Sequence, residues 1–255
     1  MQAPVARFGD TPELKGHCAF FLDLDGTLLD IADHPHQVAV DANLVGLLDT
    51  LGRAAGGALA LISGRPIADV DRLLGRPGLC VAGQHGAERR DFSGTMHRHN
   101  VSRDALEKAR GRLGMLAARH PGLVLEDKGV NLALHFRSAP GLLAEMQEAV
   151  RGLARELGGE FEVQLGKMVI ELRPAGKDKG VAISEFLLEA PFRGRAPVFV
   201  GDDLTDESGF ELINRVGGQS VKVGDGESAA HWRLPDSAAV RAWLAHTAAH
   251  LVEGA

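Results

Sequence analysis

The most informative segment of this chain is Asp23-Leu24-Asp25-Gly26-Thr27, which directly follows an apolar run at residues 19–22. Because side chains alternate along a strand, Asp23 and Asp25 start on the same face as the chain leaves the predicted strand, and Gly26 permits a sharp turn. Two carboxylates at one spot can divide the work of phosphoryl transfer. One attacks a phosphorus atom, and the other moves protons to the leaving group and from water. The alternatives are a solvated polar turn and a calcium loop, but a calcium loop requires Asp where Thr27 stands.

Three further fragments follow apolar runs or open helical patterns. Ser63-Gly64-Arg65-Pro66 follows the run at residues 58–62, and Pro66 suits the first turn of a helix whose start can hold phosphate. The run at residues 197–200 leads into an acidic segment, Gly201-Asp202-Asp203-Leu204-Thr205-Asp206-Glu207. Mg²⁺ needs about six oxygen ligands and usually keeps waters, so a few of these carboxylates are sufficient. Lys179 lies at the start of a helical pattern, which is expected to put its ammonium group near these acids.

Each fragment also has an ordinary structural interpretation. Ser63 can simply begin a helix, the acids after Gly201 can occupy a helix N-terminus, and Lys179 can be a solvated surface residue. Their common setting decides between the interpretations, because open parallel sheets gather ligands at the carboxyl ends of their strands. The sequence therefore predicts one magnesium-dependent site that is built from distant segments.

The motifs at Asp23, Ser63, Lys179 and Asp202 resemble the four motifs of the haloacid dehalogenase-like phosphatase superfamily. More narrowly, the chain resembles the trehalose-6-phosphate phosphatase family from about residue 18 to residue 244. The fragments that carry this narrower resemblance are Leu61-Ile62-Ser63-Gly64-Arg65, Gly83-Gln84-His85-Gly86-Ala87-Glu88, Glu126-Asp127-Lys128-Gly129, Glu171-Leu172-Arg173-Pro174 and the acidic segment after Gly201. One departure is Leu24, which stands where that family has Tyr.

The resemblance implies a role for each residue of the core site. Asp23 is the nucleophile, and Asp25 is the general acid and base. Ser63 and Lys179 hold the phosphoryl oxygens. Mg²⁺ is expected to bind Asp23, Asp202 and the backbone carbonyl of Asp25. Asp203 and Asp206 are expected to orient these ligands without binding the metal directly.

The resemblance also implies contacts to the substrate. Glu126, Lys128 and Glu171 are expected to contact the sugar rings. Arg65, His85 and Glu88 are expected on the core side of the substrate pocket. His85 has an open alternative, because a His in a Gly-x-His-Gly turn can be satisfied by the backbone, and zinc is not expected because no second ligand lies at a suitable spacing.

The pattern of elements predicts an α/β fold with two parts. Residues 1–90 and 175–255 alternate strands and helices, which predicts a Rossmann-like core with a parallel sheet. Residues 91–174 are expected to form an inserted α+β cap. Its helices are predicted at residues 102–119 and 140–157 from their apolar stripes, and alternating strands are predicted at 130–137 and 167–173.

The predicted cap sheet is antiparallel, with both helices on one face. Met168, Ile170 and Leu172 are expected on the covered face. The uncovered face then carries polar side chains, which either bind a polyhydroxylated substrate or meet solvent; they are Asn131, His135, Arg137, Lys167, Glu171 and Arg173.

Composition sets limits on the partners. The 255 residues are 45% apolar and 24% charged, as in ordinary globular proteins. A net charge of −6 argues against a nucleic-acid partner. Cys18 and Cys80 are interpreted as buried thiols, no segment reaches the length of a membrane span, and residues 1–7 lack the apolar stretch of a signal peptide. We therefore expect a cytoplasmic enzyme, favoured as a monomer, that acts on a small-molecule sugar phosphate without a membrane or nucleic-acid partner.

Other functions remain open from the sequence. A phosphatase for another sugar phosphate, such as a sucrose or mannosylglycerate type, or a phosphohexomutase can use the same core. A phosphoacceptor receiver module also combines clustered Asp, a hydroxyl and a Lys on a parallel sheet. The chain length, the insertion and the position of Asp25 argue against such a switch, and the presence of every catalytic residue type argues against a noncatalytic sugar-phosphate binder.

Overall fold

The structure is a computed structural model, and it describes residues 11–14, 16–30, 40–166 and 168–253. The expectations for the N-terminal segment at residues 1–7 and for Lys167 lie outside the described residues. The chain divides into two compact units. The first comprises Met1–His97 and Asp178–Ala255, and the second comprises Arg98–Lys177.

The described residues form twelve strands and seven α-helices. The strands are β1 (Cys18–Leu22), β2 (Leu59–Ile62), β3 (Cys80–Gly83), β4 (Glu88–Arg90), β5 (Met96–Arg98), β6 (Val124–Asp127), β7 (Leu132–His135), β8 (Phe161–Gly166), β9 (Val169–Pro174), β10 (Ala196–Gly201), β11 (Gln219–Val223) and β12 (Trp232–Leu234). The helices are α1 (Ala42–Ala54), α2 (Ile67–Leu74), α3 (Arg103–Arg119), α4 (Leu143–Glu156), α5 (Lys179–Leu187), α6 (Glu207–Arg215) and α7 (Ser237–Glu253).

An eight-stranded sheet forms the centre of the first unit, in the order β12-β11-β10-β1-β2-β3-β4-β5. The pairs from β12 to β3 are parallel, and β4 pairs antiparallel to β3. All five residues of β1 are buried, as expected for a strand that is covered on both faces. Helix α1 packs against α7 and α5 against α6. The predicted α/β class with a parallel core sheet is confirmed.

Strand β4 shows how a polar segment becomes a buried part of this sheet. Arg89 donates to Glu185 and Glu189, and its guanidinium lies 4.9 Å from the centre of the Phe186 ring. Arg90 makes two hydrogen bonds to Asp71. These ion pairs offset the cost of burying two arginines in β4, and β5 lies beside β4 as the last strand of the sheet. The first unit therefore continues to His97, whereas the sequence places the start of the insertion at residue 91.

A four-stranded antiparallel sheet, in the order β6-β7-β9-β8, forms the second unit with α3 and α4. Both helices contribute to a hydrophobic core that includes Leu134, Ile170 and Leu172 from the sheet. This arrangement matches the predicted α+β layout with two helices. Met168 differs from expectation, because its φ of +62° interrupts the alternation and leaves the residue 40% exposed.

The polar face of this sheet is less open than the alternation predicts. Asn131 is fully buried, and Glu171 is buried beside Ala133 and Gln164 of the neighbouring strands. The buried Glu171 carboxylate accepts a hydrogen bond of 2.7 Å from the Lys128 ammonium group, which fixes its side chain.

Across the residues that the structure describes, no helix combines the length and the apolar character needed to span a bilayer.

Candidate active site

The predicted core site lies at the carboxyl ends of three neighbouring parallel strands. Asp23 directly follows β1, Ser63 directly follows β2, and Asp202 directly follows β10. Lys179 is the first residue of α5, and the Asp178 side chain caps that helix by accepting a hydrogen bond from the Val181 N–H. The strand order β10-β1-β2 therefore brings together residues that are far apart in the sequence.

Asp23 and Asp206 share one buried lysine. The Lys179 Nζ lies 2.8 Å from the Asp23 Oδ1 and 2.7 Å from the Asp206 Oδ1. Burial opposes the charged form of Lys179, but the carboxylates of Asp206 and Asp23 outweigh burial and hold its pKa above the ordinary value. Burial raises the pKa of Asp23 to about 7, while Lys179 acts in the opposite direction. The nucleophile candidate therefore lies next to a fixed positive charge.

Asp202 faces the same point from β10. Oxygens of Asp23, Asp202 and Asp206 all lie within 4.8 Å of one another. Burial and the neighbouring carboxylates of Asp203 and Asp206 raise the pKa of Asp202 to about 6. Gly26 makes this approach possible, because a Cβ at that position would lie 2.1 Å from an Asp202 oxygen and its φ is +84°.

Asp206 and Asp203 hold the acidic loop in place. The Asp206 Oδ2 accepts hydrogen bonds of 3.0 Å from the N–H groups of Asp202 and Asp203. Together with Lys179, Asp206 thus has three donors, while burial raises its pKa to about 8. The Asp203 side chain accepts from the N–H and hydroxyl of Thr205. Asp203 and Asp206 therefore position the backbone of the loop at residues 202–206.

These residues fit a divalent cation by chemistry and by charge. Carboxylate oxygens are the ligands that Mg²⁺ prefers, and Asp23 and Asp202 present theirs close together. The cluster contains four carboxylates, those of Asp23, Asp202, Asp203 and Asp206, but only two ammonium groups, those of Lys179 and Lys222, which leaves two negative charges in excess. Burial is the main cause of the raised pKa values of Asp23, Asp202 and Asp206, and repulsion between the carboxylates adds to it.

The Asp25 side chain pairs with Arg65. The Nε and one terminal nitrogen of Arg65 each lie 2.6 Å from an oxygen of Asp25. Such a two-point contact fixes the plane of the carboxyl group. The side chain of Asp25 is not a member of the three-carboxylate group, whereas its predicted metal contact uses the backbone carbonyl. Arg65, which is predicted to contact the substrate, here has Asp25 as its partner.

The loop after β2 is fixed by the turn at residues 84–86. The Ser63 Oγ accepts from the Arg65 N–H at 3.1 Å, and the Ser63 carbonyl accepts from the His85 N–H at 3.0 Å. The His85 ring packs against Gly64, where a Cβ would lie 2.7 Å from it. The Glu88 Oε1 accepts from the Ile67 N–H at 2.7 Å and so caps the start of α2. His85 and Glu88 thus hold the segment Ser63-Gly64-Arg65-Pro66, which is predicted to bind phosphate and is called the phosphate loop below.

The second unit carries the other predicted contacts in one polar network. The Lys128 Nζ lies 2.7 Å from the Glu171 Oε1 and 4.0 Å from the Glu126 Oε2. The Glu126 Oε2 is also 2.8 Å from the His135 Nε2. This hydrogen bond holds the pKa of Glu126 below its ordinary value despite burial. The structure therefore brings Glu126, Lys128 and Glu171 together in the second unit, and their contact to the sugar stays a prediction.

Lys222 is a site neighbour that sequence reasoning missed. Its Nζ donates to the backbone carbonyls of Asp202 and Val223. The available signal was a charged residue between two apolar ones, Val221 and Val223, in a strand of the parallel sheet. Such strands are usually continuous apolar runs, so a lysine there indicates a specific role.

Comparisons with known proteins identify the family of this chain. A family model described as trehalose-phosphatase matches residues 21–238. The chain is 45% identical over 238 residues to the Escherichia coli (strain K12) "Trehalose-6-phosphate phosphatase", covering 92% of this chain and 88% of that protein. It is 41% identical over 229 residues to the Sinorhizobium fredii "Probable trehalose-phosphate phosphatase", covering 89% and 86%.

Solved structures give the same result for the fold. A crystal structure of a "trehalose-6-phosphate phosphatase related protein" superposes with a TM-score of 0.75 at 28% identity, covering 93% of this chain and 100% of that one. The C-terminal domain of the Candida albicans trehalose-6-phosphate phosphatase superposes with a TM-score of 0.79 at 24% identity, covering 91% and 92%, which shows a shared fold. Because the family model matches residues 21–238 and the Escherichia coli relative is 45% identical over most of both chains, this chain belongs to the trehalose-phosphatase family.

Proposed function

We propose that this protein is a magnesium-dependent phosphatase that hydrolyses trehalose 6-phosphate to trehalose and phosphate in trehalose biosynthesis. The observation that carries the proposal is the convergence of Asp23, Lys179 and Asp202 at one edge of the sheet in a member of the trehalose-phosphatase family. The substrate itself is taken from the printed name of the Escherichia coli relative.

The reaction proceeds in two displacements. An Asp23 oxygen attacks phosphorus and forms an aspartyl phosphate while the P–O bond to the sugar breaks, and Asp25 gives a proton to the departing sugar oxygen. Water then attacks the aspartyl phosphate, Asp25 takes its proton, and Asp23 is released with inorganic phosphate. The 2.6 Å contacts from Arg65 support this role, because they orient the carboxyl group of Asp25.

Fixed charges support the phosphoryl group during this transfer. Ser63 and Lys179 hold its oxygens, and the charge of Lys179 acts without the need to move, since Asp23 and Asp206 already hold it. Mg²⁺ bound by Asp23, Asp202 and the Asp25 carbonyl would offset the repulsion between the anionic nucleophile and the phosphate dianion.

The residues proposed to contact the substrate form two groups. Glu126, Lys128 and Glu171 of the second unit contact the sugar, since their charged groups already lie within one network that hydroxyl groups can join. Arg65, His85 and Glu88 stay predicted substrate contacts in the first unit. A monomeric state and a cytoplasmic location are part of the same proposal, and sedimentation of the purified protein with fractionation of the cells tests both.

Phosphate release from a panel of sugar phosphates tests the proposed function. The purified protein is incubated with trehalose 6-phosphate, sucrose 6-phosphate or glucose 6-phosphate, with Mg²⁺ or with EDTA. We expect release from trehalose 6-phosphate, at a kcat/KM far above that for the other two, and only with Mg²⁺. A preference for another sugar phosphate, transfer of the phosphoryl group within a hexose, or full activity in EDTA would refute the proposal.

A further inference from the structure

Lys222 lies directly behind the acidic loop of the site. It belongs to β11 and is 6% exposed. Its Nζ donates to the carbonyl of Asp202 and, at 2.8 Å, to the carbonyl of Val223. The partners in these two hydrogen bonds are both backbone oxygens, so the contact joins the end of one strand to the start of the loop beside it.

The contact occurs where the regular pairing of two strands stops. Strands β10 and β11 pair from Val198 with Gln219 to Gly201 with Lys222. Asp202 is the next residue, and its backbone is held on both sides: its N–H donates to Asp206, and its carbonyl accepts from Lys222. These two bonds fix the peptide groups on either side of the Asp202 Cα, from which the carboxylate projects toward Asp23.

An ordinary packing role does not account for a lysine at this position. Val221 and Val223, on the same strand, are buried, and an apolar residue between them would avoid the cost of burying an ammonium group. A positive charge close to a cation site also opposes cation binding by Coulomb repulsion. Lys222 offsets negative charge in the cluster, but a bound cation does so as well; the separate contribution of Lys222 is the hydrogen bond that holds the Asp202 backbone.

We propose that Lys222 is a positioning residue that orients the Asp202 carboxylate for binding a divalent cation. The inference rests on the proposed function, because it gives Asp202 the role of a metal ligand. Residues that orient metal ligands typically contribute about 10- to 100-fold to metal affinity. The two effects of removing Lys222 change the Kd for the cation in opposite directions. Loss of positioning raises the Kd, whereas loss of the positive charge alone lowers it.

The test is titration calorimetry of Mg²⁺ into the full-length protein without substrate. We expect Lys222→Met to raise the Kd for Mg²⁺ about 10-fold or more. Arg233→Met is the matched control, because Arg233 pairs in register with Lys222 and also donates to backbone carbonyls, those of Gly224 and Gly226. For this control, we expect a Kd within about twofold of the wild-type value.

Further measurements keep the result interpretable if Lys222→Met lowers stability. Lys222→Arg retains the charge and the donors, and we expect its Kd to lie between those of the wild type and Lys222→Met. At saturating Mg²⁺, we expect Lys222→Met to recover most of its kcat with an unchanged KM. Tighter or unchanged Mg²⁺ binding in Lys222→Met, or a Kd for Lys222→Arg as weak as that of Lys222→Met, would overturn the inference. A wild-type protein that binds Mg²⁺ but does not hydrolyse trehalose 6-phosphate would refute the proposed function and leave this comparison intact.

Discussion

Asp23 and Asp25 are only two residues apart, yet the protein gives them opposite surroundings. Asp23 is 4% exposed and contacts Lys179, inside the group of carboxylates that fits a cation. Asp25 lies nearer the surface and is held by Arg65. This asymmetry suits a division between a nucleophile beside a metal and a proton carrier beside the leaving group.

Asp23→Asn tests the nucleophile directly. The amide keeps the shape of the side chain but cannot attack phosphorus, so we expect kcat to fall by at least about 10³-fold. Phosphate release from trehalose 6-phosphate measures the loss. Asp49→Asn, at an acid that pairs with Arg76 away from the site, is the control and should retain full activity. Turnover above about 10% in Asp23→Asn would assign the attack to another group.

Arg65→Met tests whether Arg65 acts through Asp25. Without its guanidinium, the Asp25 carboxyl group loses the two contacts that orient it, and we expect kcat/KM for trehalose 6-phosphate to fall about 10²-fold. We expect a clearly smaller loss in kcat/KM for p-nitrophenyl phosphate, because its leaving group departs without a proton. Parallel kinetics with both substrates measure the difference, and kcat/KM is compared because it excludes the later attack of water, which Asp25 assists for both substrates. Equal losses in kcat/KM would mean that Arg65 binds the phosphoryl group instead.

At the scale of elements, the start of helix α2 is capped by a residue of strand β4. The first N–H groups of a helix have no partner within it, and Glu88 of β4 accepts from the one at Ile67. This contact also fixes the segment between Ser63 and α2. Glu88 can therefore influence the phosphate loop without a contact to the substrate.

Glu88→Ala is expected to lower the free energy of unfolding by about 1–3 kcal/mol, because it leaves the buried Ile67 N–H without its acceptor. Glu88→Gln keeps an oxygen at this position and should lose less. Urea unfolding measures both, and KM for trehalose 6-phosphate is measured alongside. If Glu88→Gln raised KM strongly at unchanged stability, Glu88 would be a direct substrate contact.

The elements that the sequence predicts are those with their own apolar signature. The β1 run is apolar throughout, and α2 begins directly after Pro66, where the sequence predicts the start of a helix. Strand β4 has no such signature, because Glu88, Arg89 and Arg90 are all charged. Their burial depends on acids elsewhere in the chain, which no local pattern contains.

For the site too, the sequence predicts the features that are local and misses those that depend on tertiary contacts. Motifs indicated Asp23, Lys179 and Asp202, because the residue types and the preceding strands are local features. The partner of Arg65 and the role of Lys222 depend on which strands are neighbours and on their register. Neither follows from a single segment of sequence.

At the scale of the molecule, the acidic cluster links pH, metal and stability. Burial and mutual repulsion raise the pKa of Asp202 to about 6, of Asp23 to about 7 and of Asp206 to about 8. In the unfolded chain, these groups titrate near their ordinary value of 3.8. At pH values between the unfolded pKa and the raised folded pKa values, the folded protein binds more protons than the unfolded chain. The free energy of unfolding therefore falls as the pH rises through this range, and it is highest below the unfolded pKa as far as these groups are concerned.

We accordingly expect the metal-free protein to lose thermal stability between pH about 5 and pH about 8, at up to about 1.4 kcal/mol per pH unit for each proton released. Mg²⁺ replaces those protons as the counter-charge, so saturating Mg²⁺ should flatten the slope and raise Tm most at the upper end of the range. Melting curves at several pH values, with EDTA and with Mg²⁺, measure both slopes. Asp206→Asn removes one of the titrating groups and should have a shallower slope in EDTA. Identical slopes with EDTA and Mg²⁺ would show that these carboxylates do not form the cation site, since a cation that binds elsewhere leaves their titration unchanged.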